Sequence, residues 1–243
     1  MYFGLSEEQK SLEDNIKKYL DDNASIEIIR SVVEGDLDKA NEIHRGLVDL
    51  GISSLMVPEE YGGLGLDMLF ATVVAGALGY GTAPCPYAGA YVMAPLALSI
   101  AGSDKQKEEW LPKIAGGEAL IGVGISEYIG ARENAGIEFS KDSVSGRCLF
   151  VIDGINADAF IVSNKSGELF LIPSDSSGIE IVELTTVDKT RTSIEIIFKN
   201  AKAEVLPGSS DNKSAADKVV DAGRLMLSAD TVGAAQVMLD KSV

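Results

Sequence analysis

The residues that most often announce chemistry are scarce in this chain. Its 243 residues include one histidine, one tryptophan and two cysteines. Cys85 and Cys148 form neither a close pair nor a metal-ligand spacing, so no disulfide framework, zinc cluster or other metal site is expected. His44 stands without an evident serine or cysteine partner and reads as a surface or packed histidine rather than a base. There is no Walker motif or nucleophile elbow. Gly122-x-Gly124 lacks the third glycine and following helix of a dinucleotide fingerprint. No apolar run reaches the ~18–20 residues needed to span a bilayer. Residues 1–10 lack the basic-then-apolar order of a secretory signal. A reduced, cytoplasmic protein with no membrane contact is the simplest expectation.

Positive charge is scarce too. Lys and Arg number 21 against 37 Asp and Glu, giving a formal net charge of −16, and both halves of the chain are acidic. That argues against nucleic acid as a partner. A polyanionic ligand such as coenzyme A would need local cations to overcome the overall field.

Hydrophobic residues, at 46%, are enough to fill a core. Up to about Gly117 they recur at helical spacing. Ser6-Glu7-Glu8-Gln9 and Ser103-Asp104-Lys105-Gln106 have the form of capping boxes. Ile26 to Val33 is a second helical run, with Gly35 after it, and Asp36 can cap a third that Gly51 stops. Residues 67–80 and 86–101 are apolar nearly all round, as central helices are. Six packed helices are expected.

After Glu118 the pattern changes to short strands. They are expected at residues 119–125, 147–152, 159–162, 169–172, 179–182 and 193–198, the last alternating Ile194, Ile196 and Phe198. No long helix intervenes, which favours an antiparallel barrel or sandwich over a parallel sheet. Around Asp211-Asn212-Lys213-Ser214 the chain turns polar, and a last helical stripe from Val219 to Leu239 is apolar enough to need a partner surface.

The segment Val57-Pro58-Glu59-Glu60-Tyr61-Gly62-Gly63-Leu64-Gly65-Leu66-Asp67 joins two helical runs. Pro58 holds Val57 out of the helical region, the glycines permit close approaches, and Asp67 can cap the next helix. Leu64 and Leu66 are expected to anchor it as a packed loop. Alone, such a loop is a connector. With Leu47, Val48, Leu50 and Ile52 before it, Leu78-Gly79 and Ala101-Gly102-Ser103 after it, and then Trp110-Leu111-Pro112-Lys113-Ile114-Ala115-x-Gly117-Glu118, it resembles the amino-terminal half of acyl-CoA dehydrogenases. The likeness runs from about Phe3 to the last residue.

The resemblance implies an α+β architecture of three parts. Residues 1–118 would be the helical domain and 119–212 an antiparallel β-barrel domain. Residues 213–243 would be the first helix of a carboxy-terminal bundle whose remainder is missing. It implies α,β-dehydrogenation of an acyl-CoA thioester with FAD as hydride acceptor. Electrons would pass to an electron-transfer flavoprotein, and the complete protein would be a homo- or hetero-oligomer. In the family the catalytic glutamate lies in that bundle. No residue here inherits the role, and the 243 residues alone are expected to be inactive. Glu59 and Glu60 read as solvated loop carboxylates.

Flavin contacts are implied at two motifs. Where the family has Thr-Glu-Pro, this chain has Ile125-Ser126-Glu127-Tyr128, so a backbone contact at Ile125 and Ser126 survives although Tyr128 replaces the proline. Where many members have Trp-Ile-Thr/Ser-Asn, it has Phe150-Val151-Ile152-Asp153-Gly154. Phe150 can lie flat on a ring, whereas Ile152 cannot donate a hydrogen bond. Both read equally well as ordinary strand core. This divergence resembles a bacterial branch in which some members pair a complete subunit with an incomplete one. A non-catalytic subunit is therefore the alternative reading. Asp188-x-Thr190-Arg191 also matches the family. There Arg191 is expected to brace the barrel through a carboxylate.

Overall fold

The computed structural model describes residues 4–130, 135–210 and 214–243. Phe3 and the expected boundary at residues 212 and 213 lie outside them. Both predicted capping boxes form. Ser6 and Gln9 open α1 (Glu7–Asn23), and Ser103 and Gln106 open α6 (Asp104–Ala115). Between them lie α2 (Ile26–Val33), α3 (Leu37–Asp49), α4 (Met68–Tyr80) and α5 (Ala94–Ala101). Asp36 caps α3 and Asp67 caps α4 through side-chain bonds to the next turn's amides.

Residues 86–101 are not one regular helix. Ala88–Met93 form a π-helical turn in which the Ala94 amide bonds to Gly89 O, and Pro95, which has no N–H to offer, follows at once. The glycine-rich loop is held mainly by its backbone. Leu64, Gly65 and Leu66 amides bond back to Ser54, Val57 and Leu55 carbonyls. A β-carbon on Gly63 would lie 2.0 Å from Val57 O, so the approach requires glycine. Leu66 packs on the core as expected, but Leu64 is 49% exposed and lies outside it.

The strands are β1 (Ile121–Gly124), β2 (Gly136–Ser140), β3 (Ser143–Ile152), β4 (Ala159–Ser163), β5 (Leu169–Pro173), β6 (Ile179–Glu183), β7 (Ser193–Lys202) and β8 (Glu204–Val205). Their hydrogen-bonded order is β6-β7-β3-β1-β4-β5-β8, with β2 beside β3. The sheet is mixed rather than wholly antiparallel, because β1 and β4 run parallel from Ile121↔Ala159 to Gly124↔Val162. The β2–β3 hairpin lies between them in sequence and serves as the crossover that a helix usually provides.

β4 is buried on both faces. Ala159 and Ile161 join the core shared with the helices, while Phe160 and Val162 join a second core with Val144, Cys148, Val151, Ile194 and Ile196. The two-residue repeat of a strand sorts them. The last helix, α7 (Ser214–Asp240), packs on α4 and the π-helical turn. Its approach to α4 is backbone to backbone: a β-carbon on Gly79 would meet Asp230 O at 2.0 Å, and one on Gly233 would meet Gly76 O at 1.9 Å. That buries Val219, Val220 and Met226 and leaves Leu225, Val232, Met238 and Leu239 exposed.

Candidate functional site

The first candidate motif follows β1, and the second occupies the end of β3, where Val123 pairs with Ile152. Against β7, β3 shifts register between Cys148 and Val151: three steps along β3 match two along β7, from Ile196 to Ile194. This is a β-bulge, which re-aims side chains. Phe150 sits in it with φ +54° and is 46% exposed although its strand neighbours are buried. Phe150 is thus not strand core. Ile152, half-buried, packs on the helical core and also lines a cavity.

A buried carboxyl underlies the bulge. Glu127 is 5% exposed. Its Oε1 accepts from the Leu149 amide at 3.1 Å, and its Oε2 lies 3.4 Å from Cys148 Sγ and 3.3 Å from Ser126 Oγ. The Ser126 hydroxyl also bonds to Leu149 O. Burial raises the Glu127 carboxyl above its ordinary value, and the donors around it pull the other way. The single hydroxyl proton of Ser126 cannot serve both Leu149 O and Glu127. A protonated Glu127 donating to Ser126 Oγ satisfies both bonds. The motif identifies Glu127 but carries no signal that it clamps the bulge.

Of the four flavin-contact candidates, then, Ile125 and Ser126 are 7% and 8% exposed and turn their side chains inward, while Phe150 and Ile152 present theirs. A planar aromatic group can stack on Phe150. Hydrogen bonds along its edge would come from backbone, because Ile125 and Ile152 are apolar and the Ser126 hydroxyl is engaged. The residues present fit an isoalloxazine ring on these terms. Tyr128 reaches away and donates to Asp217 of α7 at 2.6 Å.

A cavity of about 260 Å³ opens beside Ile152, between the ends of β3 and β7 and the helices α4 and α7. Arg191 lines it and makes a two-pronged bond to Asp230 of α7, with Nη1 to Oδ2 at 2.9 Å. The expected carboxylate partner exists, but it ties the sheet to α7 rather than bracing the sheet within itself. Asp153 also lines the cavity. Its Oδ2 accepts from the Gly89 and Ala90 amides of the π-helical turn at 2.7 and 3.2 Å. Burial raises the Asp153 carboxyl, opposed by those amides and by Arg191. Cys85 and Tyr87 complete the polar lining on the helical side, their acidities suppressed by burial.

His44, unpartnered in the sequence, has Nε2 2.7 Å from the hydroxyl of fully buried Tyr91, and burial lowers its pKa. It is a packed histidine. Among the described residues, no group of three His, Cys, Asp or Glu side chains is placed to hold a metal ion. No helix among them is long and apolar enough to cross a membrane.

Comparison with known proteins places this geometry in context. Residues 6–118 match the model of the acyl-CoA dehydrogenase N-terminal domain. The chain is 28% identical over 240 residues to acyl-CoA dehydrogenase IpdE2 of Mycolicibacterium smegmatis, which spans 98% of this chain and 64% of that protein. Among solved structures it is similar to the ChsE4–ChsE5 complex from Mycobacterium tuberculosis, with a TM-score of 0.87, 24% identity, and 99% of this chain and 67% of that one covered. It is also similar to a glutaryl-CoA dehydrogenase from Mycobacterium smegmatis in complex with FADH2, with a TM-score of 0.78, 20% identity, and 97% and 64% covered. The chain thus spans about two thirds of the length of each of them.

Proposed function

Through its residues 6–118 the chain belongs to the acyl-CoA dehydrogenase family, and from that premise we propose that it works as an FAD-dependent acyl-CoA dehydrogenase. Its reaction would be α,β-dehydrogenation of an acyl-CoA thioester. The observation that carries this reading is the bulge that turns the Phe150 ring outward, two positions before Ile152, which itself lines the cavity. FAD, when bound, supplies the hydride acceptor. This chain's part is to hold and shield it. Phe150 stacks against the flat ring, backbone at Ile125 and Ser126 meets the ring's edge, and Ile152 keeps water from its face. No described residue is assigned the α-proton base.

The same reading divides the chain into a helical domain at 1–118, a β domain at 119–212 and a further helical segment at 213–243. It makes an acyl-CoA the substrate and an electron-transfer flavoprotein, or a carrier like it, the electron acceptor. It places the protein in a cytoplasmic homo- or hetero-oligomer.

The test is the visible spectrum of the protein in its native assembly, before and after anaerobic addition of acyl-CoA. Bound flavin bleached by the thioester is the expected result; an assembly without flavin contradicts the reading. A second reading, the non-catalytic subunit of a mixed assembly, is favoured by Ile152, which offers no donor where the family often has a hydroxyl. Phe150→Asp separates the two. Flavin content and turnover unchanged by it would assign the working site to another chain.

A further inference from the structure

The cavity beside Ile152 has a chemistry that holding a flavin does not require. Ala75, Leu78, Ala83 and Met226 give it apolar walls. Four charged side chains also line it: Asp153, Asp188, Arg191 and Asp230. Arg191 and Asp230 satisfy each other through both prongs, and Asp188, exposed to solvent, uses only its Oδ1, which accepts from Thr190 N and Oγ1. Asp153 differs. It is partly buried, its Oδ2 takes the Gly89 and Ala90 amides of the π-helical turn, and among the described residues no hydrogen bond reaches its Oδ1.

An open carboxyl oxygen in an apolar-walled cavity calls for a partner, since leaving it bare costs free energy. Water meets that need in the empty protein. At about 260 Å³ the cavity lies just below the roughly 300–1,000 Å³ of ligand pockets, which is room for an acyl group.

Resting on the function proposed above, we infer that this cavity selects a neutral acyl group bearing a hydroxyl, which bonds to Asp153 Oδ1. An unsubstituted alkyl chain displaces the water and leaves Oδ1 without a partner. A terminal carboxylate brings a fourth negative charge against one already-paired arginine. An ammonium must give up its own hydration shell against the apolar walls before it meets Asp153. A hydroxyl both donates and accepts, so it serves Asp153 whether the carboxyl is charged or neutral.

The test uses the native assembly and matched medium-length CoA thioesters: unsubstituted, hydroxylated at successive chain positions, and carboxylate-terminated. Binding is read by calorimetry and turnover by kcat/KM. The best hydroxylated thioester is expected to exceed the unsubstituted one by about 10- to 100-fold in affinity, with the carboxylate weakest. Equal affinity for the unsubstituted chain, or the tightest binding by the carboxylate, overturns the inference and leaves the function standing. Failure of every thioester to bind overturns the function and this inference with it.

Asp153→Ala removes the oxygen that faces the cavity, and with it the acceptor of the Gly89 and Ala90 amides. The hydroxyl preference should fall to about threefold or less, with folding checked by the melting temperature. A folded variant with its preference intact would remove Asp153 from the assignment. Should that variant fail to fold, the ranking of thioesters by the unaltered protein decides.

Discussion

Glu127, buried, and Asp153, partly buried, are carboxyls near the end of β3, and they are completed in opposite ways. Both oxygens of Glu127 meet groups of the chain itself: the Leu149 amide, the Cys148 thiol and the Ser126 hydroxyl. Asp153 has one oxygen bound to two amides, and its other oxygen has no partner among the described residues. A closed network fixes a backbone shape, here the bulge that presents Phe150. A half-closed one beside a cavity leaves a valence for something else. The remaining hydrogen-bond capacity separates a structural acid from a recognising one.

The cavity side of this contrast depends most on the contact between α4 and α7. Gly79→Val puts a branched side chain where even a β-carbon would lie 2.0 Å from Asp230 O. It should cost about 3 kcal/mol in chemical denaturation and disturb the Arg191–Asp230 bond with it. On the closed side, Glu127→Leu strands the buried Leu149 amide and should cost about 2 kcal/mol. Its added signature is weakened flavin retention, because the bulge loses its clamp. A variant that loses stability but holds flavin normally would break the link between Glu127 and Phe150.

Arg191→Lys keeps the charge but loses the two-pronged geometry across a partly buried gap, and about 1 kcal/mol should go with it. Phe150→Gly should stay within about 1 kcal/mol of the unaltered protein, because relief of the left-handed backbone offsets the lost ring. Flavin retention should nonetheless drop. That split marks strain held for a purpose.

The smallest effect is a pH slope. Glu127 has its carboxyl raised above the ordinary 4.5 by burial, so the folded chain holds a proton there that the unfolded chain releases first. Stability from this group is complete below about pH 4.5 and declines as pH rises toward the folded value. Glu127→Gln has no such titration. Its melting temperature relative to the unaltered protein should therefore rise across that window, and a flat difference would mean that Glu127 is ionised throughout.

Local signals in the sequence were read well because their physics is local. Ser6 with Gln9, Ser103 with Gln106, and the caps Asp36 and Asp67 all bond within four residues. Gly51 ends α3 in the left-handed conformation for the same reason. β2 was not anticipated, since Gly136-Ile-Glu-Phe-Ser has few apolar residues and is a strand only by pairing with β3. The π-helical turn was hidden inside a uniformly apolar stretch whose periodicity cannot distinguish it from an α-helix.

Phe150 and Ile152 could be named as candidates from their motif but not assigned a direction. That required the extra residue of the bulge, which exists only against β7. Arg191 is expected from its motif to use a carboxylate, and the fold supplies Asp230 of α7, 39 positions along the chain. His44 gained Tyr91 in the same manner.

By itself the sequence determined the helices and their caps, the change from helix to strand after Glu118, and the family likeness carried by the glycine-rich loop, because each depends on neighbours within a few residues. The tertiary structure decided which strands run parallel, which way Phe150 faces, what closes around Glu127 and what Asp153 leaves open. Those outcomes depend on groups brought together from distant positions, and distance along the chain carries no record of them until the chain has folded.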